Sequence, residues 1–220
     1  ARVRGNLSTR NGRYGLHFMF SHDCEYTDNR FVNNGAGIAV MYSKRVMMRR
    51  NDFADNWGAA AYGLLLKDIA DSDIEGNRFV SNSVAMLVEG SSRLQVAGNE
   101  FSRNGWALKL MANSEDNRFE RNSFAGNAFD VATNSRSSSS STFAENRWDQ
   151  YRGYDLDRDG YGDVPFRPVR FFSLVVQEHE PALILLRSFF VELLDLAERV
   201  LPILTPETLV DTRPRMGDRQ

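Results

Sequence analysis

The chain has 220 residues, 42% hydrophobic and 25% charged, which suits one folded domain with an appendage and excludes disorder as the main state. A formal charge of -2 gives no basic footprint, so nucleic acid is not an expected partner. The single cysteine cannot form an internal disulfide, and no apolar run reaches the roughly 18 residues that read as a membrane span.

Asparagine organises the first two thirds of the chain. All 17 asparagines lie at or before Asn146. The triplet Asn-x-aromatic begins at Asn29, Asn51, Asn77, Asn99, Asn122 and Asn146, at intervals of 22, 26, 22, 23 and 24 residues. A second asparagine follows the first five aromatics by three positions, at Asn34, Asn56, Asn82, Asn104 and Asn127. Asparagine favours turns and tolerates left-handed backbone, so two such columns mark two repeated corners. Three residues before each triplet stands an apolar column, Tyr26, Met48, Ile74, Val96, Phe119 and Phe143.

Each repeat also holds a strand-like run, at 14–20, 37–42, 63–68, 85–89 and 107–111. Alternation along these runs turns Leu16, Ile38, Leu64, Met86 and Leu108 inward together with Phe18, Val40, Leu66, Val88 and Leu110. The pattern predicts an all-β fold, a right-handed parallel β-helix with Asn and Phe ladders over 1–148. Residues 1–12 already read as part of a coil, so further coils are expected ahead of this segment.

The outward columns are where chemistry should appear, because the inward ones are filled by packing. One runs Met19, Met41, Lys67, Glu89 and Met111, its neighbour His17, Ala39, Leu65, Leu87 and Lys109. His17, Met19 and Met41 therefore share one outer patch, with His22 on the next turn. Thioether and imidazole suit a soft ion, above all Cu(I). The competing reading is that both methionines lie beneath a loop or partner. Met47 also reads as outward and accessory, Met48 and Met86 as core, and Cys24 as buried and inert. Asp68, Asp71 and Asp73 on one coil leave open a polysaccharide lyase or epimerase, although Glu89 is the one carboxylate among the outward strand positions.

The serine run 137–141 reads as a bulge between the last two coils. An acidic loop and cap follows over 149–180. There Asp155, Asp157, Asp159 and Gly160 match positions 1, 3, 5 and 6 of a calcium loop and Asp163 position 9, but Phe166 stands where the bidentate Glu belongs. A full EF-hand is excluded; a partial calcium loop and a tight capping turn both remain. Residues 181–204 show helical spacing, with Leu183, Leu186, Phe190, Leu193, Leu194 and Ala197 on a wide apolar stripe. This amphipathic helix either packs on the β-helix or faces a membrane or membrane-protein partner. The tail, 205–220, is expected to be extended.

Tyr14-Gly-Leu-His-Phe-Met19, Tyr62-Gly-Leu-Leu-Leu-Lys-Asp68, the segment from Trp148 to Asp163 and Asp211-Thr-Arg-Pro-Arg-Met216 together resemble the C-terminal half of the NosD family, the periplasmic β-helical maturation proteins of nitrous oxide reductase. Arg215 stands where that family pattern would have an apolar residue. The resemblance implies a non-enzymatic periplasmic scaffold that receives Cu(I) from a copper chaperone lipoprotein and delivers it to nitrous oxide reductase. It also implies partnership with an ABC-type membrane subunit and its ATPase. On it, His17, Met19, Met41 and His22 become candidate transient Cu(I) ligands, and the helix a dock for the membrane subunit.

Overall fold

A computed structural model describes residues 1–135, 139–186, 188–200 and 208–217. Three parallel sheets of seven, seven and six strands wrap a solenoid. The first runs from Arg2–Arg4 to Thr142–Ala144, the second from Leu7–Thr9 to Arg147–Trp148, and the third from Tyr14–Met19 to Phe129–Ala132. Each strand pairs with its counterpart one coil away, as in Tyr26↔Met48, Phe31↔Phe53 and Leu16↔Ile38, so the repeat alignment is the strand register. The expected parallel β-helix is the fold found.

The corners explain the asparagines. At each turn from the first sheet to the second, a left-handed residue precedes the ladder asparagine, as in Asp28 (φ 56), Arg50 (φ 51) and Gly76 (φ 61). Asn29, Asn51, Asn77, Asn99, Asn122 and Asn146 then pass hydrogen bonds up the stack. Each of the first five donates its Nδ2 to the next Oδ1 at 2.9–3.0 Å, and all six are buried. A second ladder runs from Asn34 to Asn127 at the turn from the second sheet to the third: Asn34 donates its backbone N–H to Asn56 Oδ1 at 3.0 Å, and Asn56, Asn82 and Asn104 each donate Nδ2 to the next Oδ1 at 2.8–3.1 Å. Inside, Phe31, Phe53, Phe79, Phe101, Phe124 and Trp148 stack with centroids 4.2–5.5 Å apart and nearly parallel planes. Coils pass so closely near the third sheet that any side chain at Gly37 would collide with the Gly63 carbonyl.

Beyond Trp148 the structure departs from the expected layout at three points. First, a helix occupies Phe171–Glu178, inside the stretch read as loop and cap. Its aromatic and β-branched residues carry weak helical propensity, and it forms because Phe172 and Val176 bury against the third sheet's outer face beside Phe129 and Ala132. Second, the stretch read as one helix over 181–204 is broken. A 3-10 turn spans Glu180–Leu185, with Pro181 in its first turn, and the α-helix starts only at Phe189 and runs to Val200. Leu201 and Leu204 lie outside the described residues, as do Ser137 and Ser138 of the serine run. Third, the tail does not simply extend. Its described part returns to the open end of the solenoid, where Asp211 bridges Phe143 and Phe166, and Arg215 bridges Arg147 and Tyr161.

That return completes the first ladder. Asn146 donates its Nδ2 to Asp211 Oδ2 at 3.0 Å and its backbone N–H to the same oxygen at 3.2 Å, while the Trp148 indole donates at 2.9 Å. A ladder asparagine must donate upward. The last one needs an acceptor above it, and a carboxylate supplies one without adding an amide N–H that would need a partner of its own.

Candidate functional site

The third sheet presents its outer face in columns. Val84, Trp106, Phe129, Ala39, Leu65, Leu87 and Ala132 point away from the solenoid core, yet all are buried, because they share one cluster with Phe172, Val176 and Val191 of the helical arm. The buried cluster runs along this face as far down as Ala39. One coil lower, in register with Ala39, His17 is exposed. The His/Met patch thus lies at the rim of that cluster.

Within the patch, Met19 pairs directly with Met41 on the neighbouring strand, and His17 stands two residues before Met19 on the same face. Paired parallel strands are about 4.8 Å apart, so two thioethers on neighbouring rungs can reach one ion. Met19 is 38% exposed and Met41 half-buried at the edge of the arm cluster. The His17 ring rests on Tyr14, centroids 4.9 Å apart, with its edge accessible. His22 is placed differently. Its Nδ1 accepts the Lys44 backbone N–H at 3.1 Å, which puts the proton of the neutral ring on Nε2, so His22 must release that bond before it can ligate. Met47 sits on the outer face of the first sheet, between Glu25 and Asp73, away from the patch. Met48, Met86 and Cys24 are buried in the core. The sequence pattern does not single out Phe20 and Tyr42, exposed residues that follow the two methionines and stack at 5.1 Å; the available signal is that the same corner holds Asp68 and Gly90 in the next coils.

The carboxylates do not assemble into an acid-base pair. Asp68 sits on the corner after the third sheet and Asp73 on the first sheet's outer face. Asp71 is gripped through both oxygens by Arg93, whose hydrogen bonds hold its carboxyl below the usual range. Glu89 pairs with Lys67 at 2.9 Å. In the acidic loop, Asp155, Asp157 and Asp159 bring one oxygen each within 4.8 Å of one another. Asp155 Oδ2 accepts Gly160 N–H, Asp157 Oδ1 accepts Asp159 N–H, and Asp163 Oδ2 accepts Leu156 N–H. Asp159 is neutralised by Arg213 at 2.8 Å, while Asp155 Oδ1 is buried without a hydrogen-bond partner.

The arm's apolar residues divide between two faces. Val191, Leu186 and Leu194 turn toward the sheet, whereas Leu183, Phe190 and Leu193 are exposed, joined by Ile184 (89%) and Phe189 (78%). Ala197 is half-buried. The stripe read from spacing thus mixes a packing face with a solvent face. No helix among the described residues is long and apolar enough to cross a membrane.

Three laddered sheets and a stacked aromatic interior define a parallel β-helix protein, here with a methionine pair and a histidine on an outer strand. Residues 1–156 match the family model described as periplasmic copper-binding protein (NosD), and the chain belongs to that family. Relatives named "Probable ABC transporter binding protein NosD" match from Pseudomonas aeruginosa, 32% identical over 111 residues, and from Stutzerimonas stutzeri, 29% identical over 116. These alignments take in 50% and 52% of this chain but only 26% and 27% of the relatives. Among solved structures, the A-module of mannuronan C-5 epimerase AlgE4 from Azotobacter vinelandii aligns with 66% of this chain and 39% of its own, at a TM-score of 0.50 and 18% identity, a likeness of fold alone.

Proposed function

We propose that this chain is part of a periplasmic, non-enzymatic copper carrier: it accepts Cu(I) from a chaperone lipoprotein and passes it to nitrous oxide reductase, in association with an ABC-type membrane subunit and its ATPase. The observation that carries the reading is the in-register pair Met19 and Met41 beside His17, at the exposed rim of a largely buried outer face. Thioethers select soft ions, and an accessible site with few ligands lets a partner supply the rest and keeps exchange fast. Copper here is cargo. The relatives' name as ABC transporter binding proteins supports the membrane association. A lyase or epimerase is the less favoured reading, because Asp71 is tied to Arg93 and Asp68 and Asp73 occupy different faces. For the acidic turn, the pairing of Asp159 with Arg213 favours a cap over a bound calcium ion, which only the orphaned Asp155 Oδ1 would welcome.

In an anaerobic competition titration, changing both Met19 and Met41 to leucine is expected to weaken Cu(I) binding by at least about a hundredfold, since two soft ligands are lost while volume and hydrophobicity are kept. Unchanged binding would rule the patch out.

The solvent face of the arm is the proposed dock for the membrane subunit, exposed apolar surface being the mark of such contacts. Changing Phe190 and Leu193 to aspartate is expected to abolish complex formation with the circular dichroism spectrum preserved. Leu194 is unsuitable for this test because it packs on the solenoid. A complex that survives the double substitution assigns the membrane contact to another surface.

A further inference from the structure

We infer that Phe20 and Tyr42 form an aromatic screen for the soft monovalent cation held by Met19 and Met41, an inference that rests on the copper reading of that patch. The two residues occupy the corner that follows the third-sheet strand, one directly above the other, so that Met19-Phe20 lies in register under Met41-Tyr42. Their rings stack with centroids 5.1 Å apart and planes 11° apart, and both are exposed, Phe20 by 69% and Tyr42 by 39%. The backbone fixes them there, Phe20 N–H donating to Met41 O at 3.1 Å and Tyr42 N–H to Lys67 O at 3.0 Å.

Nothing in the architecture of the coil asks for aromatics at this corner. The positions are left-handed, φ 52 and 51, where a bulky side chain is strained. The next two coils place Asp68 (φ 53) and Gly90 (φ 59) at the same corner, residues suited to that conformation. The companion position changes with it: where the corner is aromatic the preceding outward residue is methionine, and where it is Asp68 or Gly90 that residue belongs to the Lys67–Glu89 ion pair. Aromatic corners thus accompany the paired Met19 and Met41 rungs and are absent both from the ion-paired rungs and from the lone Met111 at the far end of the column, which Ala112 follows. Since Phe20 is largely in water, hydrophobic burial does not account for its ring.

A thioether pair leaves a bound Cu(I) open on its solvent side. Aromatic bulk beside it keeps water from the site and offers nothing to a hard ion that prefers oxygen. The screen therefore acts on which ion is held and for how long, while the methionines supply the bonds.

Ag(I), which shares the preference for sulfur and is redox-inert under these conditions, is a suitable probe. With methionine methyls labelled in carbon-13, Ag(I) is expected to shift the Met19 and Met41 signals. The F20N/Y42N variant should keep those shifts but bind about tenfold more weakly and exchange Ag(I) faster. Because asparagine suits a left-handed corner, the same variant should melt no lower than the wild type, which separates a role at the metal from a role in folding. If Ag(I) does not move the two methyls in the wild type, the copper reading of the patch fails. If it does, and the variant binds within twofold of the wild type, the screen is refuted while the methionine site stands; a large fall in melting temperature would likewise refute it by assigning the pair to folding.

Discussion

Replacing Asp211 with alanine is expected to destabilise the protein by about 3–5 kcal/mol and to release the returning tail from the end of the solenoid. Asp211 is fully buried and its two oxygens take four donors, Asn146 Nδ2, Asn146 N–H and Trp148 Nε1 on Oδ2 and Arg213 N–H on Oδ1. Burial is the largest influence on its carboxyl and raises it above the usual value against those hydrogen bonds. Alanine would strand the donors of Asn146 and Trp148 in a site without water, and an unpaired buried donor costs about 1–3 kcal/mol. Asparagine would recover part of the loss, since one of its ends must turn an amide against other donors. Urea unfolding measures the total, and amide exchange at Asn146 and Trp148 localises it. Equal protection in wild type and D211A would show that the tail is not what closes the solenoid.

That closure was the part of the fold least legible in the sequence. The coils were readable because a solenoid repeats its solution every 22 to 26 residues: Asn29, Asn51 and Asn77 face the same corner and need the same donors and acceptors, so they recur. The cap is made once. Asp211 fills the ladder position above Asn146 from 65 residues away, and no spacing rule connects Asp211-Thr-Arg-Pro to the Asn-x-aromatic triplet. The helix at Phe171–Glu178 was hidden for a related reason, its stability coming from Phe129 and Trp106, outward residues whose covering could not be read from period alone. At the metal patch, strand alternation was enough to place His17, Met19 and Met41 on one outer face, because parallel register is a backbone property. It could not reveal that His22 is tied to Lys44, since that bond depends on how the corner folds.

The second asparagine ladder also ends in a carboxylate, and its surroundings predict a different response. Asn127 donates its Nδ2 to Asp130 Oδ1 at 3.1 Å, the only hydrogen bond given to that side chain by its own ladder, whereas Asp211 receives four. Asp130 is buried, so desolvation pushes its carboxyl up to about 7. Among the charged groups facing it, Asp149 of the acidic loop adds to the rise and Arg170, at the start of the Phe171–Glu178 helix, opposes it. Since the folded carboxyl is raised above its unfolded value of 3.8, its contribution to stability is complete below about pH 4 and is lost as pH rises through 7. A shift of about three units corresponds to about 4 kcal/mol between those limits. Changing Asp130 to asparagine keeps the shape, leaves an amide oxygen for Asn127 and removes the charge. The variant is therefore expected to match the wild type near pH 4 and to exceed it by up to about 4 kcal/mol at pH 8.5. Denaturant unfolding of both proteins across this range tests the point, the difference between the two curves cancelling every carboxylate they share. Curves that stay parallel from pH 4 to 8.5 would mean that Asp130 titrates like an ordinary carboxylate.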